Sequence, residues 1–129
     1  MRIGAFIVQC ETTKDTVRHY EQLNLIRPHK SGTYKEYGEK ELEDFQAIKE
    51  MQGFGLSLSQ IQQIFCVKTN SGCGSPRLIQ SVLKALKKQS AALAVEEQSI
   101  KHKRMRTEQL IKELELIQEL SPNADREHS

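Results

Sequence analysis

Lys14, Arg18 and His19 stand on a short segment behind a threonine, Thr13, that can cap a helix. A helix there exposes side chains that donate to phosphate oxygens and to base edges in a groove. Lys30 and Lys35 flank a second small element, His29 to Tyr37, whose Ser31-Gly32 can turn a hairpin and whose Thr-Tyr-Lys-Glu-Tyr run alternates in strand fashion. Beside a recognition helix, such a hairpin is a wing that can touch the nucleic-acid backbone. The thiols offer a different chemistry. Cys66 and Cys73, seven residues apart, lack the close spacing of a local zinc knuckle. Cys66 falls near the apolar face of its helix and reads as a core thiol; Cys10 reads as a packing residue of the first helix. His19, His29, His102 and His128 are scattered, and no phosphate loop or nucleophile motif accompanies them, so the chain does not read as an enzyme.

These groups need a scaffold, and the pattern supplies one. Ile3 to Cys10 is a short apolar segment suited to a first helix. Glu11-Thr12 can turn the chain into a second, Lys14 to Leu23, with Thr16, Val17 and Tyr20 available for packing. Two short helices about a tight turn form the helix-turn-helix pattern. A third helix is expected from Glu39 to Met51, with Leu42, Phe45 and Ile48 on one face. A fourth starts at Ser57 or Ser59, with Ile61, Ile64 and Phe65 apolar. A generic four-helix domain fits this half of the chain as well.

Composition changes near residues 68–76, where turn formers cluster. From Pro76 to Leu120 there is neither glycine nor proline beyond the opening Pro76, and good helix formers dominate. A heptad runs through this half: Ile79, Leu86, Leu93, Ile100, Thr107 and Leu114 on one line, and Val82, Gln89, Glu96, Lys103, Leu110 and Ile117 on the other. Ser75 and Pro76 suit the start and Pro122 the stop. A helix of roughly 65 Å cannot bury that stripe alone. In a parallel, in-register pair Glu96 and Lys103 would each face their twins, so an antiparallel coil is expected. Its interface comprises Ile79, Leu86, Leu93, Ile100, Leu110, Leu114 and Ile117. The other reading packs the helix on its own head. The expected division is a head at 1–68, a linker at 69–75, a dimerisation helix at 76–120 and a tail at 121–129.

The 129 residues carry a net charge of only +2, weak support for a polyanionic partner. The average conceals a local bias. Residues 13–35 hold Lys14, Arg18, Arg27, Lys30 and Lys35 against Asp15 and Glu21, and acids follow from Glu36 to Asp44. No apolar run approaches the ~20 residues of a membrane span, and the opening residues are too short for a signal peptide. A soluble, cytoplasmic protein is expected.

Thr13-Lys14-Asp15-Thr16-Val17-Arg18-His19-Tyr20-Glu21 with Leu25-Ile26-Arg27-Pro28 resembles the recognition-helix signature of MerR-type (mercury-resistance-regulator-type) transcription factors. Gly32-Thr33-Tyr34-Lys35-Glu36-Tyr37 is similar to that family's first wing, and Gly55-Leu56-Ser57-Leu58-Ser59-Gln60-Ile61 to the start of its second helix pair. The resemblance implies a mainly α fold: a winged helix-turn-helix domain followed by a long antiparallel coiled-coil dimerisation helix. It implies a homodimer that binds a pseudo-palindromic promoter and distorts an over-long spacer so that RNA polymerase engages both elements. DNA contacts would come from Thr13, Lys14, Arg18 and His19, and from Lys30, Tyr34, Lys35 and Tyr37.

Departures from the family pattern are His19 for an aromatic residue, Glu11 for a glycine, Thr12 for an apolar residue, Thr33 for a glycine and Lys35 for an arginine. Cys73 sits where metal-sensing members carry their first thiolate. The segment 121–129, where they place further ligands, has no cysteine, only His128. A metal ion or a thiol modification at Cys73 therefore stays open, as does a small effector pocket at the dimer junction. No ligand domain is expected after Leu120. The rival to a regulator is a coiled-coil protein-interaction adaptor that does not bind DNA.

Overall fold

The computed structural model describes residues 1–120, so the expected stop at Pro122 and the tail histidine His128 lie outside the described residues. The elements follow in the order α1 (Ile3–Gln9), α2 (Lys14–Gln22), β1 (His29–Ser31), β2 (Tyr34–Glu36), α3 (Glu39–Gly53), α4 (Leu58–Ser71) and α5 (Pro76–Leu120). The chain forms two compact units, one from Met1 to Gln89 and one from Ser90 onward.

Local chemistry sets most boundaries of the first unit. Thr13 caps α2, its hydroxyl accepting from the Thr16 amide at 3.2 Å. Before it, Glu11 adopts φ 53°, the left-handed turn between α1 and α2. A side chain there costs ~1–2 kcal/mol, which exceeds the ~0.5–1 kcal/mol that glycine loses in chain entropy. Glu11→Gly is therefore expected to stabilise the head by roughly 0.5–1 kcal/mol, a rise of a few degrees in Tm. Thermal denaturation followed by circular dichroism checks this; a lower Tm would contradict it.

The hairpin pairs His29 with Glu36, Lys30 with Lys35 and Ser31 with Tyr34. Its two-residue turn is therefore Gly32-Thr33, one position later than Ser-Gly, and Gly32 supplies φ +65°. At α3 the Gly38 amide donates to the Glu41 carboxylate at 2.8 Å, which satisfies that buried acid. Ser57, not Ser59, caps α4: its hydroxyl accepts from the Gln60 amide, and the Gln60 side chain accepts from the Ser57 amide. The fourth helix runs on to Ser71, into the stretch expected as linker, so Gly72 to Ser75 alone connect it to α5. Ser75 opens α5, its hydroxyl accepting from the Leu78 amide at 3.2 Å.

One core serves the whole first unit. Phe6 of α1, Val17 and Tyr20 of α2, Phe45 and Ile48 of α3, and Ile61, Ile64 and Phe65 of α4 meet there with Leu25, Ile26, Tyr37 and Leu56. The start of α5 joins them: Leu78 is buried, and Val82, Ala85 and Leu86 pack against the same cluster. Leu86, expected on the dimer seam, thus spends part of its surface on the head. Further along, the Gln89 side chain donates to the Phe54 carbonyl at 2.9 Å. Gly55, beside it, has φ +92°, and a Cβ built there would lie 2.5 Å from the Gln89 amide nitrogen.

The described part of the second unit, Ser90 to Leu120, belongs to α5. Leu93, Ile100, Leu110, Leu114 and Ile117 are all exposed along it. Thr107, the polar member of the line that carries Leu93, Ile100 and Leu114, turns its hydroxyl onto the Lys103 carbonyl at 2.8 Å, which reduces the cost of covering it.

Candidate nucleic-acid interface

Burying Val17 and Tyr20 on one side of α2 turns Lys14, Arg18 and His19 outward. The exposure of His19 excludes a packed core ring at that position. Thr13 is exposed too, but its hydroxyl is engaged with the Thr16 amide and lies 2.9 Å from the Thr16 hydroxyl. Across from α2 stand Tyr34 and Lys35 of the wing. Lys14, Arg18, Tyr34 and Lys35 line one open cleft of about 270 Å³, together with Arg2 and Glu21. Lys30 lies directly opposite Lys35 in the ladder. Like charges so placed repel, and an anion against the wing would relieve them.

Glu21 organises this surface. Its carboxylate accepts from Lys35 Nζ at 3.3 Å and from the Tyr37 hydroxyl at 3.1 Å, tying the wing to α2. Because Glu21 is largely buried, this ion pair is less screened than an open surface pair.

Tyr37 corrects an expectation. The family resemblance gives it a wing contact to DNA, yet it is 1% exposed. Its ring stacks on Phe6 with centroids 4.6 Å apart, and its amide donates to the Met1 carbonyl at 2.7 Å. The physical reason is position: β2 ends at Glu36, and the next residue turns into the core. Burial, then the negative charge of Glu21, pushes the Tyr37 phenol well above its ordinary range, so it stays a donor. Tyr37 positions the wing and α2.

Sequence reasoning missed Arg2. Its guanidinium carbon sits 3.8 Å above the centre of the Tyr34 ring, which places a further cation on the cleft. No spacing rule links residue 2 to residue 34; only the landing point of the hairpin does.

The cysteines do not converge into a metal centre. Cys66, expected as a core thiol, is exposed, because α4 turns Ile61, Ile64 and Phe65 inward and the next residue rotates away. Cys10, half-buried at the end of α1, has its thiol pushed up by burial. Cys73 borders a hollow of about 320 Å³ beside Arg27, Lys40 and Lys68, where Asp44 is already held by Lys68 at 2.8 Å. Three cations beside one paired carboxylate form poor surroundings for a metal cation. Among the described residues no group of three or more His, Cys, Asp or Glu could hold a metal ion.

A helix-turn-helix pair flanked by a two-stranded wing, with a basic cleft between recognition helix and wing, defines a DNA-binding regulator of the winged helix-turn-helix class. Residues 1–66 match the model of the MerR HTH family regulatory proteins, and the chain belongs to that family. It is 29% identical over 108 residues to a Haemophilus influenzae protein described as an HTH-type transcriptional regulator ZntR homolog, covering 82% of this chain and 77% of that one. It is 34% identical over 68 residues to the mercuric resistance operon regulatory protein of Bacillus cereus, covering 51% and 52% respectively. The crystal structure of a MerR family transcriptional regulator from Listeria monocytogenes shares the fold, with a TM-score of 0.72 at 18% identity over 100% of this chain and 99% of that one. The chain is thus a mainly helical transcriptional regulator and not an enzyme. No helix among the described residues is long and apolar enough to cross a membrane.

Proposed function

We propose that the chain is a sequence-specific regulator that binds a pseudo-palindromic promoter as an antiparallel homodimer and distorts the spacer to control RNA polymerase. The observation that carries this reading is the convergence of exposed Lys14, Arg18, Tyr34 and Lys35 on one cleft. In this reading the head, to the end of α4 at Ser71, is the DNA-binding domain, Gly72 to Ser75 the linker and 76–120 the dimerisation helix. The apolar line Leu93, Ile100, Leu110, Leu114 and Ile117, exposed along α5, is the surface a second copy covers. Two heads related by a twofold axis read two half-sites, and distortion of the spacer between them adds readout that needs no base contact.

Selection from a randomised duplex pool should return an inverted repeat, with binding that weakens steeply as salt rises. On that operator Arg18→Ala is expected to lose about 1–3 kcal/mol, tenfold or more toward the upper end. In vitro transcription from a promoter carrying the repeat should respond to the protein. A pool that yields no repeat and no salt-sensitive binding overturns the proposal and favours the adaptor.

A further inference from the structure

We propose that Arg2 is a backbone-phosphate contact, held in place by the Tyr34 ring and completing a cationic cradle with Lys14, Arg18 and Lys35. This deepens, and rests on, the DNA-binding reading above.

The geometry has three parts. First, Arg2 precedes α1 as its N-cap residue, but its side chain makes no capping bond. The guanidinium lies 3.8 Å over the Tyr34 ring, while Tyr34 itself stays 52% exposed. A guanidinium engaged through its face keeps the in-plane N–H edge available, and that edge matches phosphate oxygens. Second, the backbone around it is fixed. The Tyr37 amide donates to the Met1 carbonyl at 2.7 Å and the Phe6 amide to the Arg2 carbonyl at 3.0 Å. The side chain starts from a pinned position, so less entropy is lost when it binds. Third, among the described residues no carboxylate pairs with Arg2.

Among the described residues Glu21 is the one carboxylate lining the cleft, and it already accepts from Lys35 and from the Tyr37 hydroxyl. Four cations therefore face a single engaged acid, and the excess favours an anion. A duplex reached by α2 and the wing together brings phosphates to this rim. Such a contact carries no sequence information; it sets the register in which Arg18 and Lys14 meet the bases.

The test is fluorescence anisotropy of the full chain with the selected operator and with an unrelated duplex, across a salt series. The variants are Arg2→Ala, Arg2→Lys, Tyr34→Leu and Arg18→Ala. Arg2→Ala should weaken both duplexes by a similar severalfold factor and reduce the salt slope by about 1. Arg2→Lys should restore the slope but only part of the affinity. Tyr34→Leu should weaken binding while leaving the slope near that of the parent. Arg2→Ala with unchanged affinity and slope, beside an Arg18→Ala that loses the operator, overturns this inference and leaves DNA binding standing. A weaker Arg2→Ala with the slope of the parent also overturns it, because that marks a structural role. If the parent binds neither duplex, the DNA-binding reading itself fails.

Discussion

Phe6→Ala should lower the stability of the head by about 3–5 kcal/mol, the largest single effect expected in this chain. Phe6 is fully buried. It stacks on Tyr37 at 4.6 Å and meets Phe45 edge-on at 6.1 Å, so its removal leaves a cavity against both rings in a close-packed core. A small domain has about 5–15 kcal/mol in total, so this loss is a large share of it. The functional loss should come at lower denaturant than global unfolding. Tyr37 holds Glu21, and Glu21 holds Lys35, so the wing loses its reference to α2 when Phe6 goes. Chemical denaturation with parallel anisotropy on the operator checks both parts. A variant as stable as the parent would show that the Phe6–Tyr37–Phe45 contact is not the centre of the core.

In the dimer proposed above, charging the exposed line of α5 should separate the two copies without unfolding either head. Leu93 and Leu114 are 44% and 56% exposed, so neither is committed to packing in the chain by itself. In a coil both would be covered, and a carboxylate covered there without a partner is strongly unfavourable. The double variant Leu93→Glu, Leu114→Glu is expected to run as a monomer by light scattering at concentrations where the parent is expected to run as a dimer. Operator affinity should then fall by about 10²–10⁴, because a second half-site bound by a linked head benefits from effective concentration and a free head does not. The melting of the head should change little. A double variant that stays dimeric would place the seam on another face of α5.

How much of this is legible in the sequence depends on the range of the physics involved. Thr13, Ser57 and Gly32 act within three or four residues, and the elements they start or turn stand close to where local chemistry puts them. Arg18 and Lys14 are legible because burying Val17 and Tyr20 leaves those positions no other side. Tyr37 is not, because its role depends on the Phe6 ring, 31 positions away on α1. Three residues beyond Tyr34 it would take the opposite face of a continuous strand, but the strand ends between them, so alternation does not place it. Cys66 differs from expectation by a single residue of helical rotation. Arg2 is invisible for a simpler reason: a lone cation at the head of a helix has no pattern until the hairpin arrives above it.

The close approach at Gly55 bears on how this chain can vary. Position 55 is closed to side chains twice over, once by its backbone angle and once by the Gln89 amide. Anything larger than hydrogen there must first evict that amide from the Phe54 carbonyl, which then loses its partner. A side chain at 55 is thus felt at 89. Substitutions at 55 and 89 are therefore expected to couple, although 34 positions of chain separate them, and a double-mutant cycle on the Tm of the head measures that coupling.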